Sequence, residues 1–196
     1  MTKQRPKVRS LYVLGGAIVL VLAGCQSDTP PTQASGVDPR VMADNLHAIM
    51  EADRTVYAKV VVDRLTAKEG VIKASEHWKD DKALPLPAQM FRMGAELVAQ
   101  KGVNVSYALI STWPINKKNA PSTEAEKQGL AAISRKPGEN YYTQEELGGK
   151  KYFTALYPDI AVAAACVECH NKHRDTPKTD FKTGDTMGAI VIRFPL

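Results

Sequence analysis

Five residues, Cys166-Val167-Glu168-Cys169-His170, constrain this chain more than any other stretch of it. Two thiols three positions apart, with an imidazole directly after the second, form the Cys-x-x-Cys-His pattern of c-type haem attachment. Each thiol can add across a haem vinyl group while the adjacent imidazole reaches the iron from the same backbone turn. Any fold the chain adopts has to present those three side chains together. Covalent linkage also keeps the cofactor on an exported protein, where lost haem would be diluted irretrievably. One such motif occurs, so the expectation is one covalent haem c, and a multihaem wire within this chain is excluded.

Three other readings of the motif compete with haem attachment. Cys166, Cys169, His170 and His173 supply zinc-type donors, but four ligands within eight residues strain a tetrahedral geometry. A thioredoxin-like redox pair prefers a βαβ setting, which the sequence does not provide. A disulfide between Cys166 and Cys169 closes only a tiny loop and gains little. The chain has three cysteines. If Cys25 is used elsewhere, no disulfide framework remains beside the motif.

Cys25 has such a use. Residues 1–10 are basic, and Leu11 to Leu22 form an apolar run of 12 residues, which suits a signal peptide and is short for a spanning helix. The run ends in Leu22-Ala23-Gly24-Cys25, which resembles the bacterial lipobox, where cleavage before the Cys is followed by its acylation. The expectation is therefore a signal peptide over 1–24, lipidation at Cys25, and a domain tethered to a membrane by several hydrocarbon tails. Gln26 rather than Asp after the Cys matches outer-membrane sorting, which places the domain in the periplasm on the inner leaflet. An uncleaved anchor helix with an incidental Cys is the alternative. Residues 25–37 are polar, with Thr29-Pro30-Pro31 and Gly36, and read as a flexible spacer before a folded domain over 38–196.

The net charge of +5 invites a nucleic-acid reading. Four of the 26 basic residues, Lys3, Arg5, Lys7 and Arg9, lie in the cleaved segment, which leaves 22 against 21 acidic ones. That balance lacks the surplus that phosphate-backbone binding needs.

Asp38-Pro39 supplies an N-cap and a first-turn proline, and Leu46, Ile49, Met50, Val56, Tyr57, Val60, Val61 and Leu65 recur at helical spacing. A long helix ending before Gly70 is expected. A second helix follows from Pro87 to about Lys101, entered through extended Leu84-Pro85-Leu86-Pro87 and stopped by Gly102. Val103, Val105, Tyr107 and Leu109 alternate with polar or small residues as a strand. Thr123 with Glu126 forms a capping box for a helix to about Arg135, and Tyr152 to Leu156 and Gly188 to Phe194 read as further strands. The fold class expected is α+β, a small antiparallel sheet with packed helices and a long N-terminal helix.

The candidates for a second iron ligand are Met42, His47, Met50, His77, Met90, Met93, His173, Met187 and several lysines. Taken singly, a Met at helical spacing is usually core and a His in a polar stretch is usually solvated. The preference falls on His47 or Met50, one turn apart on the first helix, and then on Met93. Iron with no protein ligand on that side stays open.

The Cys-x-x-Cys-His-Asn run, the segment with Thr176-Pro177-Lys178, Gly184-Asp185 and the closing strand Gly188-Ala189-Ile190-Val191-Ile192 resemble a bacterial family of single-haem c-type proteins, formerly catalogued as a domain of unknown function. Leu84-Pro85-Leu86-Pro87-Ala88 and Trp113-Pro114-Ile115-Asn116 are also similar to it, so the resemblance covers Asp38 to Pro195. It implies a PAS-like fold with haem in a pocket, attachment at Cys166 and Cys169, and His170 as the proximal ligand. Members occur alone or as exported sensor domains, and at least one branch takes its distal ligand from an N-terminal Cys. This chain departs there, because a lipidated Cys25 leaves no free Cys for that role.

Two functions follow as expectations. The first is a haem-based redox or gas-sensing module, binding a diatomic gas if the iron is open and signalling through a partner protein. The second is a periplasmic electron-transfer cytochrome, which a protein sixth ligand favours. An enzyme such as a peroxidase needs an open iron with a distal acid–base residue and an Arg. Arg54, Arg92 and His77 are the candidates, but lone basic residues are usually surface charges, so no enzymatic activity is expected. Lys117-Lys118 and Lys150-Lys151 read first as solvated loop charges and second as docking patches.

Overall fold

In this computed structural model the described residues are Gly36–Leu196, so the expected signal peptide, Cys25 and most of the spacer lie outside them. Val37–Leu196 form one compact unit. Asp38 opens it as expected: its carboxylate accepts from the Arg40 N–H at 2.7 Å, ahead of Pro39 in the first turn. Helix α1 spans Pro39–Val56 and continues into a π-helical segment, Tyr57–Lys68, with the Glu69 N–H reaching back to the Arg64 carbonyl at 2.9 Å. A π-helical run of that length is uncommon, and such segments concentrate near functional sites. Ala43, Ala58 and Val62 form the buried face of this rod.

Two short strands, β1 (Ala74–Ser75) and β2 (Leu84–Pro85), pair in parallel and lead into helix α2, Pro87–Gln100. Strand β3 covers Ser106–Ile110, and helix α3, Glu124–Arg135, begins in the expected capping box with Thr123 and Glu126. Strands β4 (Tyr141–Leu147), β5 (Lys150–Ile160) and β6 (Thr186–Pro195) complete a four-stranded antiparallel sheet of order β3-β6-β5-β4, and helix α4, Ala164–Lys172, lies between β5 and β6. The α+β class read from the sequence is the class found, and the arrangement is compatible with a small PAS-like domain.

The expectation fell short at β4. Its hairpin with β5 turns on Gly148-Gly149, both at positive φ, the backbone that a two-residue hairpin turn demands. The β5 strand also runs past Leu156 through Pro158. By then β4 has ended opposite Leu156, so the residue that cannot donate sits where β5 has only one neighbour. A register shift between Asp159 and Ile160 ends the strand and re-aims Asp159.

Alternation along the strands splits the core across the sheet. Ala155, Tyr157, Ile190 and Ile192 pack with Ala43 of α1 and Phe91 of α2, whereas Leu156, Ala189 and Val191 pack with Leu130 and Ile133 of α3. On the α3 side the capping-box carboxylate of Glu126, 3% exposed, takes 3.0 Å contact from Arg193, whose Nε meets Glu145 at 2.7 Å. Gly188 is dictated by a close approach: a Cβ there would sit 2.2 Å from the Ile110 carbonyl oxygen.

Candidate cofactor site

Ala164 and its neighbours favour a helix directly after β5, and α4 ends where the His173 N–H bonds to the Cys169 carbonyl at 3.0 Å. Within this helix Cys166 and Cys169 lie one turn apart, and His170 follows. Cys166 and Val167 pack onto a small cluster of Ala161, Phe181 and Met187. Cys169 is exposed, and both thiols are free. His170 is half-buried and meets the Phe181 ring edge-on, with centroids 6.0 Å apart.

Asn171 fixes this arrangement. Its side chain donates to the Phe181 carbonyl at 2.9 Å and accepts from the Phe181 N–H at 3.0 Å, clamping the long loop before β6 onto α4. Among the described residues no three His, Cys, Asp or Glu side chains gather as metal ligands. His173 instead accepts from the Asp175 N–H at 3.1 Å and faces Glu76 at 3.5 Å. Nor is there a βαβ setting, because β5 and β6 flank α4 antiparallel.

Cys166 opens onto a cavity lined by Glu51, Arg54, Thr55 and Ala58 of the first helical rod and by Asp159 and Ile190 of the sheet. Arg54 was expected on the surface. Its side chain is instead 18% exposed and doubly paired with Asp159, 14% exposed, the second contact being 3.2 Å. Burial alone would lower the Arg54 pKa, but the Asp159 carboxylate outweighs it and holds the guanidinium above its ordinary value. The other two basic candidates do lie on the surface, Arg92 beside Glu96 and His77 beside Glu76. The signal for Arg54 was its helical phase, since residues 47, 51, 54 or 55, and 58 share one face of an α-helix.

That face begins with His47. Its ring stacks flat on Tyr157, centroids 3.9 Å apart and planes within 7°, and Tyr157 is anchored by its hydroxyl donating to Asp44 at 2.8 Å. Burial, with that carboxylate, pushes the phenol pKa up, so the platform is neutral. Met50, one turn further on, is partly buried and packs against the same core cluster, which includes the Tyr157 ring that His47 stacks on. Met93 is half-buried on α2, and Met187 is buried against Ala161 and Phe181. None of His47, Met50 and Met93 lines the cavity wall itself.

Three buried nitrogens have no hydrogen-bond partner among the described residues: His47 Nε2, His170 Nδ1 and Arg54 Nε, the last on a guanidinium already paired with Asp159 through its other nitrogens. Buried polar atoms are nearly always satisfied, so an orphan calls for a missing partner. Burial lowers the pKa of both imidazoles, and the Asp159 carboxylate acts on both in the opposite sense. Both rings are therefore held toward the neutral form in which imidazole binds a metal. Burial pushes the Cys166 and Cys169 thiols up. Two thiols with an adjoining imidazole on α4, and a second unpartnered imidazole on α1, are donor types that would suit a haem attached through the thiols with its iron held by imidazole.

Fold and site together define an α+β domain that presents a Cys-x-x-Cys-His helix at one end of an antiparallel sheet. The chain belongs to the Tll0287-like family, whose model (Tll0287) matches residues 35–195. The solved structure of the cyanobacterial heme-protein Tll0287 superposes with a TM-score of 0.55, covering 81% of this chain and 96% of that one at 15% identity. At that identity the likeness shows the shared fold. No curated protein matches this chain.

Proposed function

We propose that this chain is an exported, lipid-anchored carrier of one covalent haem c, acting as a redox-responsive module in the periplasm. Cys166 and Cys169 would hold the macrocycle and His170 its iron. Lipidation of Cys25 would tether the domain to a membrane, on the inner leaflet of the outer membrane by the choice of Gln26. The relationship to a haem protein supports the cofactor, and the Cys-x-x-Cys-His helix supports its covalent form.

The single observation that carries the reading further is the pair of buried, unpartnered imidazole nitrogens on α4 and α1. On that ground His47, rather than Met50 or Met93, would be the second protein ligand to the iron. Bound haem would supply a one-electron iron couple, which His170 and His47 would hold. The protein's own part is positional. Tyr157 and Asp44 set the plane of His47, Asn171 and Phe181 set His170, and the Arg54–Asp159 pair places fixed charge beside the site.

A saturated iron responds to redox state rather than to a diatomic gas. The reading is therefore non-enzymatic, and electron transfer to a periplasmic partner is the second reading, favoured by the same ligand pair. Absorption spectra of the purified protein, oxidised and reduced, with and without carbon monoxide, test it. Low-spin spectra unchanged by the gas are expected, and His47→Ala should give a high-spin ferrous form that binds it. A parent protein that binds carbon monoxide readily would refute the ligand assignment.

A further inference from the structure

The first helical rod has a second face that the fold leaves uncovered. Met42, Ile49 and Val56 recur every seven residues along α1, two helical turns apart, and Val60 continues their line into the π-helical segment. These four side chains and that of Val41 are between 41% and 62% exposed. Asn45 and Ala52, the other two positions on the line, are exposed as well. The opposite side of the rod carries the buried Ala43, Ala58 and Val62, together with His47 and Arg54, so the stripe takes no part in the candidate cofactor site. Single exposed aliphatic residues are ordinary, but five along one line of about 25 Å mark an interaction surface.

We propose that this stripe lies on the membrane that holds the lipid of Cys25, with its side chains sunk among the headgroups; the proposal rests on that lipidation, as read above. The tether supplies the argument. Asp38, which caps α1, follows Cys25 by 13 residues, a length of chain that reaches at most about 45 Å. Val41 lies in the first turn of α1, so the uncovered face starts where the chain arrives from its anchor. Confinement within that distance turns a weak apolar contact into an intramolecular one.

The stripe also suits a lipid boundary better than a second copy of the chain. Asn45 within it and Asp53 at its margin keep water at a bilayer surface, but would lose it between two packed helices. Asp53 and Lys59, both exposed, flank the line with opposite charges, so the attraction is to apolar depth and not to anionic headgroups. The rod is not long and apolar enough to cross a membrane, which leaves it lying in the interface plane.

Photocrosslinking of the exported mature protein in vesicles of phosphatidylethanolamine and phosphatidylglycerol tests the proposal. A benzophenone amino acid replaces Ile49 or, as the control, the exposed Gln128 of α3 on the other side of the sheet, and intact mass reads the product. A phospholipid adduct is expected at Ile49 and not at Gln128. With the probe moved to Met42, Ile49→Asp and Val56→Asp together should cut the adduct by about 10-fold, since the bilayer loses two half-buried side chains. Thermal stability should stay unchanged, because both positions are exposed. Equal lipid adducts at Ile49 and Gln128, a product of two protein copies in place of a lipid adduct, or Met42 labelling that survives both aspartates would overturn the proposal. A protein whose mass before irradiation shows no acyl chains on Cys25 would refute the tether and the proposal with it, whereas an acylated protein that gives no lipid adduct from Ile49 would refute the proposal alone.

Discussion

Asn171 holds the loop between α4 and β6 by two hydrogen bonds to one residue, and the cost of removing them can be worked out. Asn171→Ala deletes the donor to the Phe181 carbonyl and the acceptor for the Phe181 N–H. Phe181 is 3% exposed, so both backbone groups lose their partner in a dry setting. Each loss costs about 1–3 kcal/mol. Asn171 is itself half-buried, which lets water reach part of the gap, so the sum should lie near 3 kcal/mol. For a domain of this size that lowers Tm by about 6–12 °C. Asn171→Asp keeps the acceptor and loses the donor, so it should cost about half as much. Urea denaturation of the three proteins measures the differences. An Asn171→Ala variant within about 1 kcal/mol of the parent would show that the clamp is incidental.

Further outcomes follow from other parts of the fold. Burial alone would raise the Glu126 pKa, but the Ser122 and Thr123 N–H groups and Arg193 outweigh it and hold the carboxyl below its ordinary range. The unfolded chain then binds more protons, so this stabilisation is present above the ordinary carboxylate range and is lost as pH falls through the depressed folded value. Glu126→Gln should flatten the acid limb of a stability–pH curve and cost about 3 kcal/mol at neutral pH, because Arg193 loses a buried partner. Arg54→Met leaves the Asp159 carboxylate unpaired and should cost about 3–5 kcal/mol, most of it recovered by adding Asp159→Asn in a double-mutant cycle. Gly188→Ala sets a methyl against the Ile110 carbonyl and should cost more than about 2 kcal/mol by thermal denaturation.

Much of the architecture was legible because local signals agreed with burial. Asp38-Pro39 and the Thr123–Glu126 box mark helix starts through short-range hydrogen bonds that any fold would keep. Strand β4 was missed because its sequence, Tyr-Tyr-Thr-Gln-Glu-Glu-Leu, is polar at its centre. The charge of Glu145 there is satisfied only across strands, by Thr154 and Arg193, which no local pattern reveals. The motif on α4 was plain from spacing alone. Its supports were not: Asn171 reaches ten residues along the chain, Asp159 reaches back 105 to Arg54, and Asp44 holds Tyr157 across 113. His47 and Met50 both meet the core around Tyr157, and only the flat stacking and unpartnered Nε2 of His47 distinguish it, neither of which a sequence pattern reveals.

The most direct check is the intact mass of the exported mature protein, taken together with its pyridine haemochrome spectrum. A mass equal to lipidated polypeptide from Cys25 plus a single haem, with the spectrum of two saturated vinyl groups, is expected. Bare lipidated polypeptide, or haem that leaves on acid–acetone extraction, would contradict attachment at Cys166 and Cys169.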